Sequence, residues 1–307
     1  MKGMVVKNTG SWYQVITAEG ELVECKIKGN LRLKDIRSTN PLAVGDEVEF
    51  TKNADGIGSI SEIHDRRNYI VRKSSNLSRQ AHILAANLDL ALLVATINYP
   101  ETSTTFIDRF IAAAEAYAIP AALVINKTDL YTEAELNYAR ALRDLYEHIG
   151  YPVFLISALQ PESIRGLEEQ LKNKTTRISG NSGVGKSTLI NALLPESQAR
   201  TGDISSYHNK GMHTTTFSEM FALSHGGWLI DTPGIKGFGT VDMEIEEISH
   251  YFKDIFNESE HCRFANCKHL QEPGCAVRKA VDEHRISASR YQSYLSIISD
   301  FENGKYR

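Results

Sequence analysis

Along the chain the spacing of apolar positions changes twice, and each change predicts a different architecture. Up to about residue 65 the apolar positions alternate with polar ones over short runs. "GMVVKNTGSWYQVIT", "ELVECKIKG", "VGDEVEFT" and "IGSISEI" read as strands separated by Gly, Asn and Asp turns. About five short strands in that length predict a small β-barrel, with the oligonucleotide-binding (OB) type as the leading candidate and a plain spacer barrel as the alternative. From about residue 80 to 235 near-continuous apolar runs, "LDLALLVAT", "AALVINK", "PVFLIS", "TTRIS", "EMFAL" and "GWLIDT", alternate with amphipathic stretches. The helices expected there are Phe106 to Tyr117, Glu133 to Ile149, Gly166 to Asn173 and Lys186 to Leu194. Buried strands interleaved with helices predict a mainly parallel sheet covered on both faces, with ligands bound beyond the carboxyl ends of the strands.

After about residue 240 the period becomes helical again. "MEIEEISHYFKDI" puts Ile245, Ile248, Phe252 and Ile255 on one face, and a last helix carries Tyr291, Leu295, Ile298 and Phe301 at helical spacing. Both stripes are read as core. The expected domains are a barrel at 1–66, an α/β domain at 67–240 and a mainly helical domain at 241–307.

Bulk properties narrow the setting. The chain has 307 residues, enough for two or three cores, and its 42% apolar and 23% charged content is that of an ordinary globular protein. A net charge of −4 gives the whole chain no reason to bind nucleic acid. One local run does: "RRNYIVRKSSNLSR" holds Arg66, Arg67, Arg72, Lys73 and Arg79 with no acidic residue. It reads either as a solvated linker or as a phosphate-contacting strap beside the barrel. Leu90 to Ile97, the longest apolar run, is too short to cross a bilayer, and "MKGMVVKNTGSW" lacks the apolar core of a signal peptide. A cytoplasmic protein without membrane contact is expected.

Chemistry concentrates in a few motifs. Gly180-Asn181-Ser182-Gly183-Val184-Gly185-Lys186-Ser187, followed by Thr188, fits the P-loop pattern and opens an amphipathic stretch. Its glycines free backbone N–H groups to face phosphates at a helix N-terminus, Lys186 reaches the β- and γ-phosphates, and the Ser187 hydroxyl holds Mg²⁺. Asp231-Thr-Pro-Gly234 ends "GWLID": Asp231 can hold Mg²⁺ through a water, and the Gly234 N–H can meet the γ-phosphate. Between them "NKGMHTTTF" offers Thr214 or Thr215 to complete the Mg²⁺ shell. Within "TTRIS", Arg177 stands where a buried strand prefers an aliphatic residue, so it lies either on an exposed face or opposite an acidic partner.

Asn126-Lys127-Thr128-Asp129 follows the strand "ALVI" and is a guanine selector. Asp129 can accept both the N1–H and the 2-amino hydrogens, a donor pair adenine lacks; Lys127 lies along the base plane and Asn126 ties the loop together. Ser157-Ala158, at the next strand end, supplies a backbone N–H for guanine O6. The base motifs thus precede the phosphate motifs. A site is a set of positions in space, so the order describes a circular permutation.

Three of the four cysteines fall in one short stretch. Cys262, Cys267, His269 and Cys275 offer three thiolates and one imidazole, a full set for a structural Zn²⁺ with no open position. Cys25, alone in a strand, reads as a buried thiol.

Barrel, permuted GTP motifs and Cys/His cluster together resemble the RsgA (YloQ/YjeQ) family of ribosome small-subunit-dependent GTPases. The resemblance covers essentially the whole chain, most specifically "GNSGVGKSTLIN", "GMHTTT", "DTPGIKGFG" and "CRFANCKHLQEPGCAVRKA". It implies GTP hydrolysis stimulated by the small ribosomal subunit, a role in late subunit maturation, rRNA contact, GTP/GDP, Mg²⁺ and one structural Zn²⁺ as cofactors, and a monomer. The stretch "HNKGMH" departs from the Gly and Arg usual in the family's switch loop. Hydrolysis needs an oriented water, and Ile235, where Ras-type switches carry Gln, cannot polarise one. Turnover is therefore expected to be slow, with His213 as the local candidate for the water, beside Lys186 and Gly234. The alternative is a GTP-sensing, RNA-binding switch in which hydrolysis is incidental.

Overall fold

The computed structural model describes residues 1–28, 41–73, 81–194, 219–231 and 244–303, leaving out the side chains of residues 72, 73, 81 and 82. His213, Thr214, Thr215, Gly234, Ile235 and Arg79 lie outside the described residues. The chain divides into two compact units. One comprises Met1–Leu92, Ala158–Ser179 and Gly185–Gly239; the other comprises Leu93–Ser157, Gly180–Val184 and Thr240–Arg307.

In the first unit, β1 (Lys2–Asn8), β2 (Tyr13–Thr17), β3 (Leu22–Ile27), β4 (Glu47–Lys52) and β5 (Gly58–Ile63) form the barrel. Their order is β1-β2-β3-β5-β4, and β4 pairs back onto β1, so the barrel closes. Closure removes the free sheet edge that so short a strand set would otherwise expose. The alternation seen in the sequence becomes the core: Val5, Tyr13, Val15, Val23, Cys25, Val48, Phe50 and Ile60 all point inward. Burial pushes the Cys25 thiol up to about 11, so it stays a neutral apolar filler.

A hairpin of β6 (Tyr69–Lys73) and β7 (Ala81–Ala86) follows. The basic run read as linker or strap therefore contains a strand, anchored by the fully buried Ile70. Arg66 also departs from its expected role. Its guanidinium makes two bonds to the Asp46 carboxylate, at 2.6 and 2.7 Å, and a third to the Pro41 carbonyl at 2.8 Å. With its side chain only 7% exposed, Arg66 is committed to bracing the barrel rather than to phosphate. Arg67 pairs with Asp89 at 2.9 Å and keeps 61% of its side chain exposed.

The same unit holds α3 (Pro161–Leu171), β11 (Thr175–Gly180), α4 (Lys186–Leu193), β12 (Glu219–Ala222) and β13 (Trp228–Asp231). Strand β11 runs parallel to β13, β12 pairs antiparallel with β13, and Lys7 of β1 sits opposite Glu219 of β12. Arg177 is 1% exposed and in register with Ile230, which excludes the exposed-face alternative.

The second unit takes up the end of β8 (Leu90–Ala95), then α1 (Thr104–Ala116), β9 (Ala121–Ile125), α2 (Glu133–Ile149) and β10 (Val153–Leu155). Its strand order is β10-β9-β8, with β9 and β10 parallel. Ser103 caps α1, a Thr132/Glu135 capping box starts α2 and Gly150 ends it, so both helices match the sequence expectation closely.

The C-terminal part holds α5 (Lys253–Ser259), α6 (Ala276–Asp282) and α7 (Ala288–Glu302). The single stripe predicted over "MEIEEISHYFKDI" is instead a 3₁₀ stretch, Ile245–Tyr251, that breaks at Phe252 before α5. Ile248, Phe252 and Ile255 nonetheless share one core with Val277, Ala280, Tyr294 and Ile298.

A polar hub joins these helices. Arg290 on α7 has a side chain fully removed from solvent and pairs with Asp108 of α1 and Asp254 of α5, each at 2.7 Å. Tyr146 of α2 donates to the same Asp108 oxygen at 2.8 Å. Removing one partner of such a buried set leaves the others desolvated. Arg290→Met is expected to cost about 3–5 kcal/mol in denaturant unfolding, and adding Asp108→Leu should recover part of that loss. A cost under about 1 kcal/mol would show that the hub is not a stabilising element.

Candidate nucleotide site and metal centre

In the second unit, β9 delivers Asn126 to a buried position and the chain then turns sharply. Asn126 donates its backbone N–H to the Ala95 carbonyl at 2.9 Å and its carboxamide to the Val184 carbonyl, also at 2.9 Å. The Asn126 carboxamide thus tethers the end of β9 to the segment Gly180–Val184. Lys127 adopts a left-handed backbone conformation, φ 67°, and its ammonium reaches the Tyr99 carbonyl at 2.5 Å. Asp129 lies exposed in the short 3₁₀ turn Thr128–Leu130, its carboxylate open to a ligand. Ser157 is fully buried just past β10, where Thr128 N–H and Ile125 carbonyl both bond Ile156.

The P-loop segment begins at Gly180. A Cβ there would lie 2.3 Å from the Val94 carbonyl oxygen, so no other residue fits. Ser182 and Gly183 are exposed and Asn181 half-buried, while Val184 is the buried anchor.

In the first unit Gly185 opens α4 from the left-handed region at φ 92°, a cap that leaves the helix N-terminus bare for an anion. Lys186, Ser187 and Thr188 form its first turn. Asp231, the last residue of β13, is in register with Ile178 of β11, two residues before the P-loop begins. Burial lowers the Lys186 pKa, and the nearby Asp231 carboxylate acts against that shift. A half-buried ammonium of this kind is stabilised by an arriving phosphate.

The cysteine cluster is built in the second unit. One ligand atom each from Cys262, Cys267, His269 and Cys275 lies within 4.8 Å of the other three. Cys262 and Cys275 sulfurs are 4.0 Å apart, and His269 Nδ1 lies 3.6 and 3.5 Å from them. Tetrahedral zinc, with bonds of about 2.3 Å to sulfur and about 2.0–2.1 Å to nitrogen, sets these edges at about 3.8 and about 3.5 Å. A disulfide would need about 2.05 Å. The donor set therefore fits a structural zinc.

Burial lowers the His269 pKa, which keeps the ring neutral with a lone pair to give. Burial raises the Cys275 thiol and pushes Cys267 up to about 12, so a cation is what would make them thiolates. Around the cluster, Glu272 accepts the N–H groups of Lys268, Leu270 and Gln271 at 2.8, 2.8 and 3.0 Å. Tyr291 and Tyr294 donate to the His269 and Lys268 carbonyls at 2.6 and 2.8 Å. Nothing in the sequence pattern singles out Glu272, and helical spacing places Tyr291 only in a core stripe. Two tyrosines three apart on a helix that follows a Cys/His cluster were the available signal.

The chain matches the RsgA N-terminal domain over residues 2–60 and the RsgA GTPase domain over residues 63–241. The small ribosomal subunit biogenesis GTPase RsgA of Bacteroides fragilis is 65% identical over 307 residues, covering all of this chain and 99% of that protein. The protein of the same name from Porphyromonas gingivalis is 54% identical, covering all of this chain and 99% of its own. Among solved structures, YjeQ from Thermotoga maritima aligns with a TM-score of 0.80 and 35% identity over 97% of both chains. YloQ, described as a circularly permuted GTPase, aligns with a TM-score of 0.78 and 28% identity, covering 100% of this chain and 96% of its own. The chain, with Asn126 to Asp129 ahead of its Gly180 to Ser187 motif, belongs to the RsgA family of circularly permuted GTPases.

Proposed function

We propose that the protein hydrolyses GTP to GDP and phosphate when bound to the small ribosomal subunit, and that this turnover serves late maturation of that subunit. The observation that carries the reading is the full-length identity to proteins named as small-subunit biogenesis GTPases, in a chain with Asn126, Lys127 and Asp129 at one strand end. The site is assigned accordingly. Asn126, Lys127, Asp129, Ser157 and Ala158 take guanine, and Gly180 to Thr188 take the phosphates. Ser187 and Asp231, with Thr214 or Thr215, hold Mg²⁺. Lys186 and the Gly234 N–H stabilise the γ-phosphate, and His213 orients the water. Cys262, Cys267, His269 and Cys275 hold zinc.

The barrel (1–66), the GTPase domain (67–240) and the zinc domain (241–307) form a cytoplasmic monomer. Contact with rRNA falls to the barrel and the zinc domain; of the basic run, Arg67 has an exposed side chain, and Arg72, Lys73 and Arg79 are the other candidates.

Phosphate release from GTP and ATP, with and without purified small subunits, tests this. Slow GTP turnover that rises at least about a hundredfold with subunits is expected, because the site on its own lacks a built-in Gln. Turnover indifferent to subunits would leave only the GTP-sensing switch, and equal use of ATP would overturn the guanine assignment.

A further inference from the structure

We propose that Tyr131 is a positioning residue for guanine recognition, bolting the loop that carries Asn126 and Asp129 to the turn at residues 97–100. The proposal rests on the guanine-site reading above. Tyr131 is 8% exposed. Its hydroxyl donates to the Asn126 carbonyl at 2.5 Å and accepts the Ile97 N–H at 2.8 Å. Burial, with Asp129 and Glu135 nearby, pushes the phenol up to about 12, so the hydroxyl keeps its proton at neutral pH.

The turn bolted in this way touches the site twice more. The Tyr99 carbonyl takes the Lys127 ammonium, and the Pro100 ring lies 3.3 Å from where a Cβ on Gly183 would stand. Asn98 donates to Glu135, the capping partner of Thr132, which fixes the start of α2 to the same turn. Tyr99 and Lys127 both have positive φ, 63° and 67°. Left-handed backbone is unfavourable for side chains of this size and persists only where neighbours hold it.

The chemistry explains why such bracing matters. Asp129 must present its carboxylate edge-on to N1–H and the 2-amino group, and two in-plane hydrogen bonds lose strength with small misplacement. The loop itself is only a 3₁₀ turn, Thr128–Leu130, too short to hold that geometry alone. Tyr131 closes it from behind. A phenol that merely filled space would act on stability and leave base selectivity untouched.

The test compares binding of GDP, IDP and ADP to the full-length protein with Mg²⁺, for the wild type, Tyr131→Phe and Asp129→Ala. IDP lacks the 2-amino group, so it depends less on where Asp129 stands. Tyr131→Phe is expected to weaken GDP about tenfold and IDP only about twofold, so the GDP/IDP preference shrinks. Asp129→Ala should abolish that preference. If Asp129→Ala abolishes it and Tyr131→Phe preserves it, the positioning role is overturned while the guanine site stands. If neither variant changes it, the guanine reading itself fails. Hydrogen exchange on the unmodified protein gives a measurement free of any folding defect. GDP is expected to slow the Ile97 amide about tenfold and ADP to leave it unchanged; an Ile97 amide indifferent to GDP overturns the proposal.

Discussion

Cys275→Ser is expected to strip the bound zinc and to unfold the stretch from Cys262 to the end of α6, while the barrel keeps its fold. Cys275 has two roles that this substitution separates. Its thiol is one of the four metal donors, and its sulfur also caps α6 by accepting the Arg278 N–H at 3.4 Å. Serine is a good helix cap, so the second role survives. What is lost is the soft thiolate, in a site whose occupied form is worth about 10–16 kcal/mol in small zinc-dependent peptides. Two short helices and a loop braced by Glu272 cannot replace that contribution. Zinc content by emission spectroscopy should fall from one per chain to near zero, and amide protection over residues 261–282 should fall with it. A chelator should have the same effect on the unaltered protein. Full zinc content in the variant would remove Cys275 from the ligand set.

Lys186→Ala is expected to reduce GTP hydrolysis by at least about a hundredfold, with or without subunits, the scale on which one transition-state charge contact is usually felt. Lys186 stands in the first turn of α4, and burial already disfavours its charge before any ligand arrives. Negative charge that develops on the β–γ bridging and β-phosphate oxygens as the bond breaks favours the ammonium most strongly in the transition state. Hydrolysis should therefore suffer more than GDP binding, which keeps the backbone N–H groups of the loop. Single-turnover phosphate release beside GDP affinity separates the two. Equal losses in both would make Lys186 a binding residue only.

Much of this was legible from residue order. The barrel strands, the span of α2, the start of α4 and the four candidate metal donors follow from alternation, helical periodicity and motif spacing, which are local signals. The failures share a different cause. "RRNYIVRK" reads as linker or strap because its basic residues outweigh the one buried Ile70 that makes it a strand. Nothing local marks Arg66 as engaged, because Asp46, its partner, lies twenty positions away in the run "VGDEVEFT". The stripe through Ile245 and Phe252 found the right buried face but not the break at Phe252, since a 3₁₀ turn and an α-helix both return apolar residues every three or four positions. Asp108, Arg290 and Tyr131 gave no signal at all: a buried polar residue is recognisable only through a partner that the fold supplies.

The separations in that polar hub also fix an order in time. Asp108 meets Arg290 across 182 positions, and Arg109 meets Ser296 across 187. The barrel, by contrast, draws on strands that all lie before residue 64. Emerging from a ribosome at about 5–20 residues per second, α1 waits on the order of ten seconds or more for α7. During that interval the Asp108 carboxylate has Tyr146 but not Arg290, and the face of α1 that packs on α7 is uncovered. High contact order of this kind slows closure and lengthens exposure to aggregation and to chaperones. The unit that carries Asn126 and Asp129 is thus the one whose folding must be completed from its far end, after the barrel has had time to form.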